Sequence, residues 1–90
     1  MTRYFVIFRG SVQGVGFRWT IMQLARAYGY TGWVKNLSNG NVSMEIQGKW
    51  LDINQLINQI ESHSRWIRID DYSLKEIDIV EDERSFTVRG

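Results

Sequence analysis

Ninety residues with 43% hydrophobic and 23% charged side chains suit one globular domain, residues 1–90, and a net charge of +1 gives no global pull toward nucleic acid or an anionic membrane. There is no cysteine and a single histidine, which excludes disulfides, thiol nucleophiles and a metal cage built from cysteine or histidine, and no cofactor is expected. No apolar run approaches the roughly 20 residues of a membrane span and nothing resembles a signal peptide, so a cytoplasmic chain without a membrane partner is expected.

Residues 3–9, RYFVIFR, are β-prone and apolar on both faces, which suits a central strand. A glycine-rich loop follows. Phe17, Ile21, Leu24 and Tyr28 then recur at helical spacing with Ala25 beside them, and Gly29 stands where a helix-terminating glycine belongs. Residues 32–38, GWVKNLS, read as a second strand, and Asn39-Gly40 signals a hairpin. Asn41 to Gln47 alternates, with Val42, Met44 and Ile46 on one face and Ser43, Glu45 and Gln47 on the other. This pattern predicts a half-buried antiparallel strand with the second set exposed. Asp52 and Gln55 have capping-box spacing ahead of a second helix, in which Ile53, Leu56, Ile57 and Ile60 form the apolar stripe to about His63. Strand-like material lies between Arg65 and Val80, and a short strand, Ser85 to Arg89, ends the sequence with Phe86 and Val88 on one face. Trp33 and Trp50 are expected to pack, and Asp70-Asp71 and Glu81-Asp82-Glu83 to be exposed turn charges.

The order β-α-β-β-α-β plus a short final strand predicts an α+β, ferredoxin-like split βαβ sandwich, with both helices on one face of an antiparallel sheet. A right-handed crossover makes the first two strands parallel. Their C-terminal ends then lie at one edge of the sheet. The glycine loop leaves the first of these ends, and Asn36 lies near the second.

That loop, GSVQGVGFR at 10–18, has three glycines in its first seven residues, no acidic side chain and an arginine at its end. A strand–glycine loop–helix junction suits an anion. Its N–H groups can turn inward, and a helix start adds unpaired donors and a positive dipole end. No Ser, Thr, Asp or Asn caps the helix, so Gly16 is the nearest N-cap. A cation at Arg18 opposes the dipole unless an anion binds there, and its planar fork suits phosphate oxygens. The loop lacks the Gly-Lys-Ser/Thr of a Walker A motif, and Trp19 stands where a dinucleotide fingerprint needs glycine or alanine.

The stretches 10–18 and 32–48 (GWVKNLSNGNVSMEIQG) closely resemble the two signatures of the acylphosphatase family, and together they cover about a third of the chain. Two positions depart from the pattern. Phe8 replaces the usual Leu, Ile or Val, and Arg89-Gly90 stands where many members have arginine and an aromatic residue. The resemblance implies metal-free hydrolysis of a small-molecule acyl phosphate to a carboxylate and inorganic phosphate; a monomer with no nucleic-acid partner is expected. It implies that Arg18 and the backbone N–H groups of Ser11, Val12, Gln13, Gly14, Val15, Gly16 and Phe17 hold the phosphoryl group. It also implies that Asn36 positions the attacking water. An asparagine amide can orient a water but cannot deprotonate it, so this residue set suits an activated substrate. Two other readings are a catalytically silent anion-binding or regulatory domain and an RNA-binding module of the same topology. His63, at a helix end, and Lys35, on the strand face opposite Asn36, are assigned no role.

Overall fold

The computed structural model describes all 90 residues, in the order β1 (Thr2–Ser11), α1 (Phe17–Tyr28), β2 (Thr31–Asn36), β3 (Val42–Gly48), α2 (Ile53–His63), β4 (Arg68–Ile77) and β5 (Phe86–Arg89). This is the ferredoxin-like α+β arrangement. The apolar stripes set the layers. Phe17, Ile21 and Ala25 of α1 and Ile53, Leu56, Ile57 and Ile60 of α2 form one core with Val6, Phe8, Val34, Val42, Met44, Ile46 and Phe86 of the sheet. Phe8 is fully buried and meets Phe17 edge-to-face at 5.1 Å, so its ring packs β1 against the first turn of α1. The caps act as anticipated. Asp52 accepts from the Gln55 N–H at 3.0 Å, Gly29 closes α1 at φ 77°, and Gly16 starts α1 with no side-chain cap.

The sheet order is β4-β1-β3-β2-β5. All neighbours are antiparallel except β2 and β5, which pair in parallel, so the sheet is mixed and not antiparallel throughout. The reason is topological. β4 lies on one edge and runs opposite to β2; the chain crosses to the far edge and turns back, which sends β5 along β2.

Strand boundaries differ where tertiary pairing decides them. β1 continues to Ser11 because β4 pairs with it beyond a bulge at Arg9/Gly10. Only glycine fits that bulge: φ is 130° at Gly10, and a Cβ would lie 2.2 Å from the Arg68 carbonyl oxygen. β2 stops at Asn36, not Ser38, because the Leu37 N–H bonds the Asn41 carbonyl at 2.8 Å and closes the hairpin. Asp70 and Asp71 are exposed as expected but lie within β4, where Asp71 pairs with Arg9, and not in a turn. Trp50 does not pack; it is 88% exposed.

The largest correction concerns the second face of β3. Ser43 and Gln47 are buried, not exposed. Ser43 sits between Ile7 and Lys35 on the flanking strands. Gln47 is covered by the crossing segment, residues 78–85: its Oε1 accepts from the Val80 N–H at 2.7 Å and its Nε2 donates to the Val80 carbonyl at 3.1 Å. Beneath the same strap lies Arg3, only 1% exposed, which donates to Glu45 at 2.9 Å, to Gln47 at 3.1 Å and through two nitrogens to Glu83 at 2.7 and 3.2 Å. Glu83 is therefore a half-buried partner and not a solvated turn charge. An arginine at a buried position is tolerated when its charge is paired and its donors are satisfied.

Burial pushes the Glu83 carboxyl up, but hydrogen bonds from Arg3 and Thr31 and the charges of Arg3 and Arg89 outweigh it and hold the group below its usual 4.5. A depressed carboxylate stabilises the fold above its unfolded pKa and loses that contribution as pH falls through the folded value. Glu83→Gln is expected to cost about 2 kcal/mol at pH 7, less than the roughly 3–5 of a fully broken buried pair because Glu45 still faces Arg3. In chemical denaturation the gap between wild type and Glu83→Gln should be full at neutral pH and shrink below pH 4.5. A gap independent of pH would contradict this account.

Candidate active site

Two chain segments meet at the edge of the sheet where β1 and β2 end. The first is the loop that leaves Ser11 and enters α1; the second is the end of β2 at Asn36. Between them lies a cleft of about 250 Å³ lined by Val12, Gly14, Gly16, Phe17, Arg18, Trp19, Asn36 and Val88.

The loop is built to leave donors available. Gly14 and Gly16 both take positive φ, 72° and 77°, and open space surrounds the point where a Cβ would sit at either. The N–H groups of Val12 to Gly16 have no backbone partner. The Gly16 carbonyl, in contrast, is doubly engaged, accepting from the N–H and hydroxyl of Thr20 at 3.0 and 2.9 Å. This anchors the first turn of α1 so that its N-terminal end borders the cleft, where the helix dipole favours negative charge.

Arg18 brings the cation. Its guanidinium donates to the Gly90 main-chain oxygen at 2.7 Å, which aligns it, and no Asp or Glu side chain pairs with it. Asn36 closes the opposite side. Its Oδ1 is buried and has no hydrogen-bond partner, alone among the buried side-chain polar atoms. An unmatched buried acceptor costs about 1–3 kcal/mol, and this one belongs to a residue that lines the cleft.

The lining contains no carboxylate and no imidazole. Glu45, the acid within the second motif, is held by Arg3 on the other face of the sheet. No group of three or more His, Asp or Glu side chains converges to offer a metal site.

Of the residues expected at the site, the fold brings Val12, Gly14, Gly16, Phe17, Arg18 and Asn36 to one cleft. Ser11, Gln13 and Val15 are not among its lining residues. Ser11 ends β1, paired with Arg68. Gln13 reaches the β2–β3 hairpin. Val15 packs against the core. Trp19, Val88 and Gly90 border the site without having been anticipated. Trp19 follows Arg18 on the helix and could have been foreseen. Val88 and Gly90 arrive only through the parallel pairing of β5, which no local pattern encodes. Lys35 is exposed, as its place opposite Asn36 requires, and His63 lies 6.4 Å from the Trp19 ring.

Fold and site define a small α+β domain in which a glycine loop, a helix start and an arginine meet at one cleft. Comparison with known proteins agrees. The acylphosphatase family model matches residues 4–88. The acylphosphatase of Clostridium beijerinckii is 36% identical over 89 residues, covering 99% of each chain. Among solved structures, acylphosphatase from Bacillus subtilis superposes with a TM-score of 0.88 at 29% identity over 100% of both chains. Another, from Coxiella burnetii, gives 0.83 at 35% identity over 98% of this chain and 92% of that one. The chain belongs to the acylphosphatase family, a family of hydrolases. No helix is long and apolar enough to cross a membrane.

Gly16→Ala tests the built loop. The methyl group meets no atom, so the fold should lose only the left-handed strain, about 1–2 kcal/mol. The same methyl group enters the space beside the cleft, so inorganic phosphate should bind more weakly in calorimetry. Unchanged phosphate binding in the folded variant would show that the anion does not sit here.

Proposed function

We propose that this acylphosphatase cleaves the carboxyl–phosphate bond of small-molecule acyl phosphates by in-line attack of a water held by Asn36. The phosphoryl group is gripped by Arg18 and the N–H groups of the glycine loop. The observation that carries the reading is that Asn36, whose side-chain Oδ1 has no partner, lines the same cleft as Arg18 beside the unpaired loop donors.

Phosphoryl transfer requires positioning and charge stabilisation more than covalent help from the protein. The loop and the guanidinium place donors around the non-bridging oxygens, where negative charge is concentrated. The Asn36 side-chain amide orients the water toward phosphorus. A new P–O bond forms to the water oxygen as the P–O bond to the acyl group breaks. The electron pair leaves with the carboxylate. With neither carboxylate nor imidazole in the lining, the water's proton passes to a phosphoryl oxygen, and the products are a carboxylate and dihydrogen phosphate. A carboxylate leaves without protonation, whereas an alkoxide would need a general acid. The same site should therefore turn over stable phosphate monoesters poorly. The chain is taken to act as a cytoplasmic monomer, without nucleic-acid partner or cofactor.

Release of benzoate from benzoyl phosphate, measured in EDTA, tests the reaction. Arg18→Ala should lower turnover by roughly 10³-fold or more, the scale of a lost phosphate-clamping arginine. Its stability should change by only about 0.5 kcal/mol, because the side chain lies outside the core. Failure of folded wild type to hydrolyse the substrate would refute the proposal. Asn36→Ala should lower kcat with little change in KM, since it holds the nucleophile and not the phosphate. A raised KM at constant kcat would assign Asn36 to substrate binding instead.

A further inference from the structure

Gln13 lies in the middle of the glycine loop, yet its side chain turns away from the cleft lining. Its Nε2 donates to two main-chain carbonyls of the β2–β3 hairpin, Leu37 and Asn41, each at 2.8 Å. These carbonyls bracket Asn36. Leu37 is the next residue along the chain, and Asn41 precedes Val42, the cross-strand partner of Asn36. The Asn41 carbonyl also accepts the Leu37 N–H at 2.8 Å, so the amide of Gln13 is built into the bond that closes the hairpin. On its own side Gln13 sits between Val12 and Gly14, which both line the cleft. One planar amide thus joins the anion loop to the strand end that carries Asn36.

We infer that Gln13 is a positioning residue, whose side-chain amide sets the distance between the phosphate-holding loop and the Asn36 side chain. The inference rests on the proposal that Asn36 holds the attacking water. Loop and hairpin are separate segments, and in-line attack depends on their spacing, since a misplacement of about 1 Å can cost 10²-fold in rate. Glutamine meets the requirement because its amide has two N–H donors that can face two carbonyls at once. A glutamate of equal shape would point carboxylate oxygens at both acceptors.

The test compares Gln13→Met, which keeps the stem without the donors, in the wild-type and Asn36→Ala backgrounds. In the first, kcat for benzoyl phosphate should fall about 10–100-fold. Inhibition by inorganic phosphate should change less than about twofold, since the loop's own donors remain. In the Asn36→Ala background the same substitution should lower kcat less than about threefold, because a residue that acts through Asn36 is non-additive with its loss. Equal losses in the two backgrounds, phosphate inhibition weakened in step with kcat, or no loss at all would each overturn the inference. Should Gln13→Met fail to fold, Gln13→Glu decides. Its kcat relative to wild type should rise as pH falls, because only the protonated carboxyl can donate to a carbonyl, and a flat ratio would overturn the inference. Failure of the parent reading is separable, since it appears as an inactive wild type or a fully active Asn36→Ala before Gln13 is touched.

Discussion

Because β1 and β2 run in the same direction with β3 between them, their C-terminal ends open at one edge of the sheet, and α1 must begin at that edge. This single constraint brings an unpaired row of loop N–H groups, a helix start, Arg18 and Asn36 to one cleft although they come from three different elements. The bulge at Gly10 refines the placement. It bends the end of β1 against β4 before the loop begins, and the close approach of the Arg68 carbonyl leaves room for hydrogen alone.

The opposite end of the molecule reaches the cleft through β5. The strap from β4 crosses the open face of the sheet and is held there by Arg3 and Gln47, which bind Glu83 and Val80. Where the strap lands, β5 can pair with β2, and its far end presents Val88 and the Gly90 oxygen to the site. Two arginines of α1 fasten that strand: Arg26 donates to the Phe86 carbonyl at 3.1 and 3.3 Å, and Arg18 to Gly90. The strap also removes part of the open sheet face from solvent, and that face is where an RNA-binding module of this topology would stack bases. Gln47 consequently has structural surroundings instead of an exposed surface.

The composition of the cleft limits the chemistry it can support. A cation, aligned N–H donors and an amide can stabilise charge and place a water, but none of them can transfer a proton at neutral pH. Such a set is complete only for a substrate whose leaving group departs as a stable anion, and an acyl phosphate meets that condition. Family membership and the physical inventory thus lead to the same class of reaction from different starting points. The tie from Gln13 to the hairpin adds what a list of lining residues omits, namely what holds the two halves of the site in register.

Local chemistry made much of this legible beforehand. Helical spacing at Phe17, Ile21 and Ala25, the glycine caps, the Asp52 cap and the Asn39-Gly40 turn each depend on neighbours within a few residues, and each appears in the fold. The juxtaposition of the loop, Arg18 and Asn36 was also legible, because element order and crossover handedness settle which strand ends share an edge. Long-range pairing was not. The burial of Arg3, Ser43 and Gln47, the half-buried state of Glu83, the parallel pairing of β5 and the turning of Gln13 toward the hairpin all join residues far apart in the chain. Local propensity says nothing about partners that distant. The sequence by itself determined the elements, the family and the chemical groups of the site, since these depend on residue type and short spacing. Only the tertiary structure decided how the strap covers the sheet and what aligns Arg18 and Asn36, since these depend on which distant backbone groups come within hydrogen-bond reach.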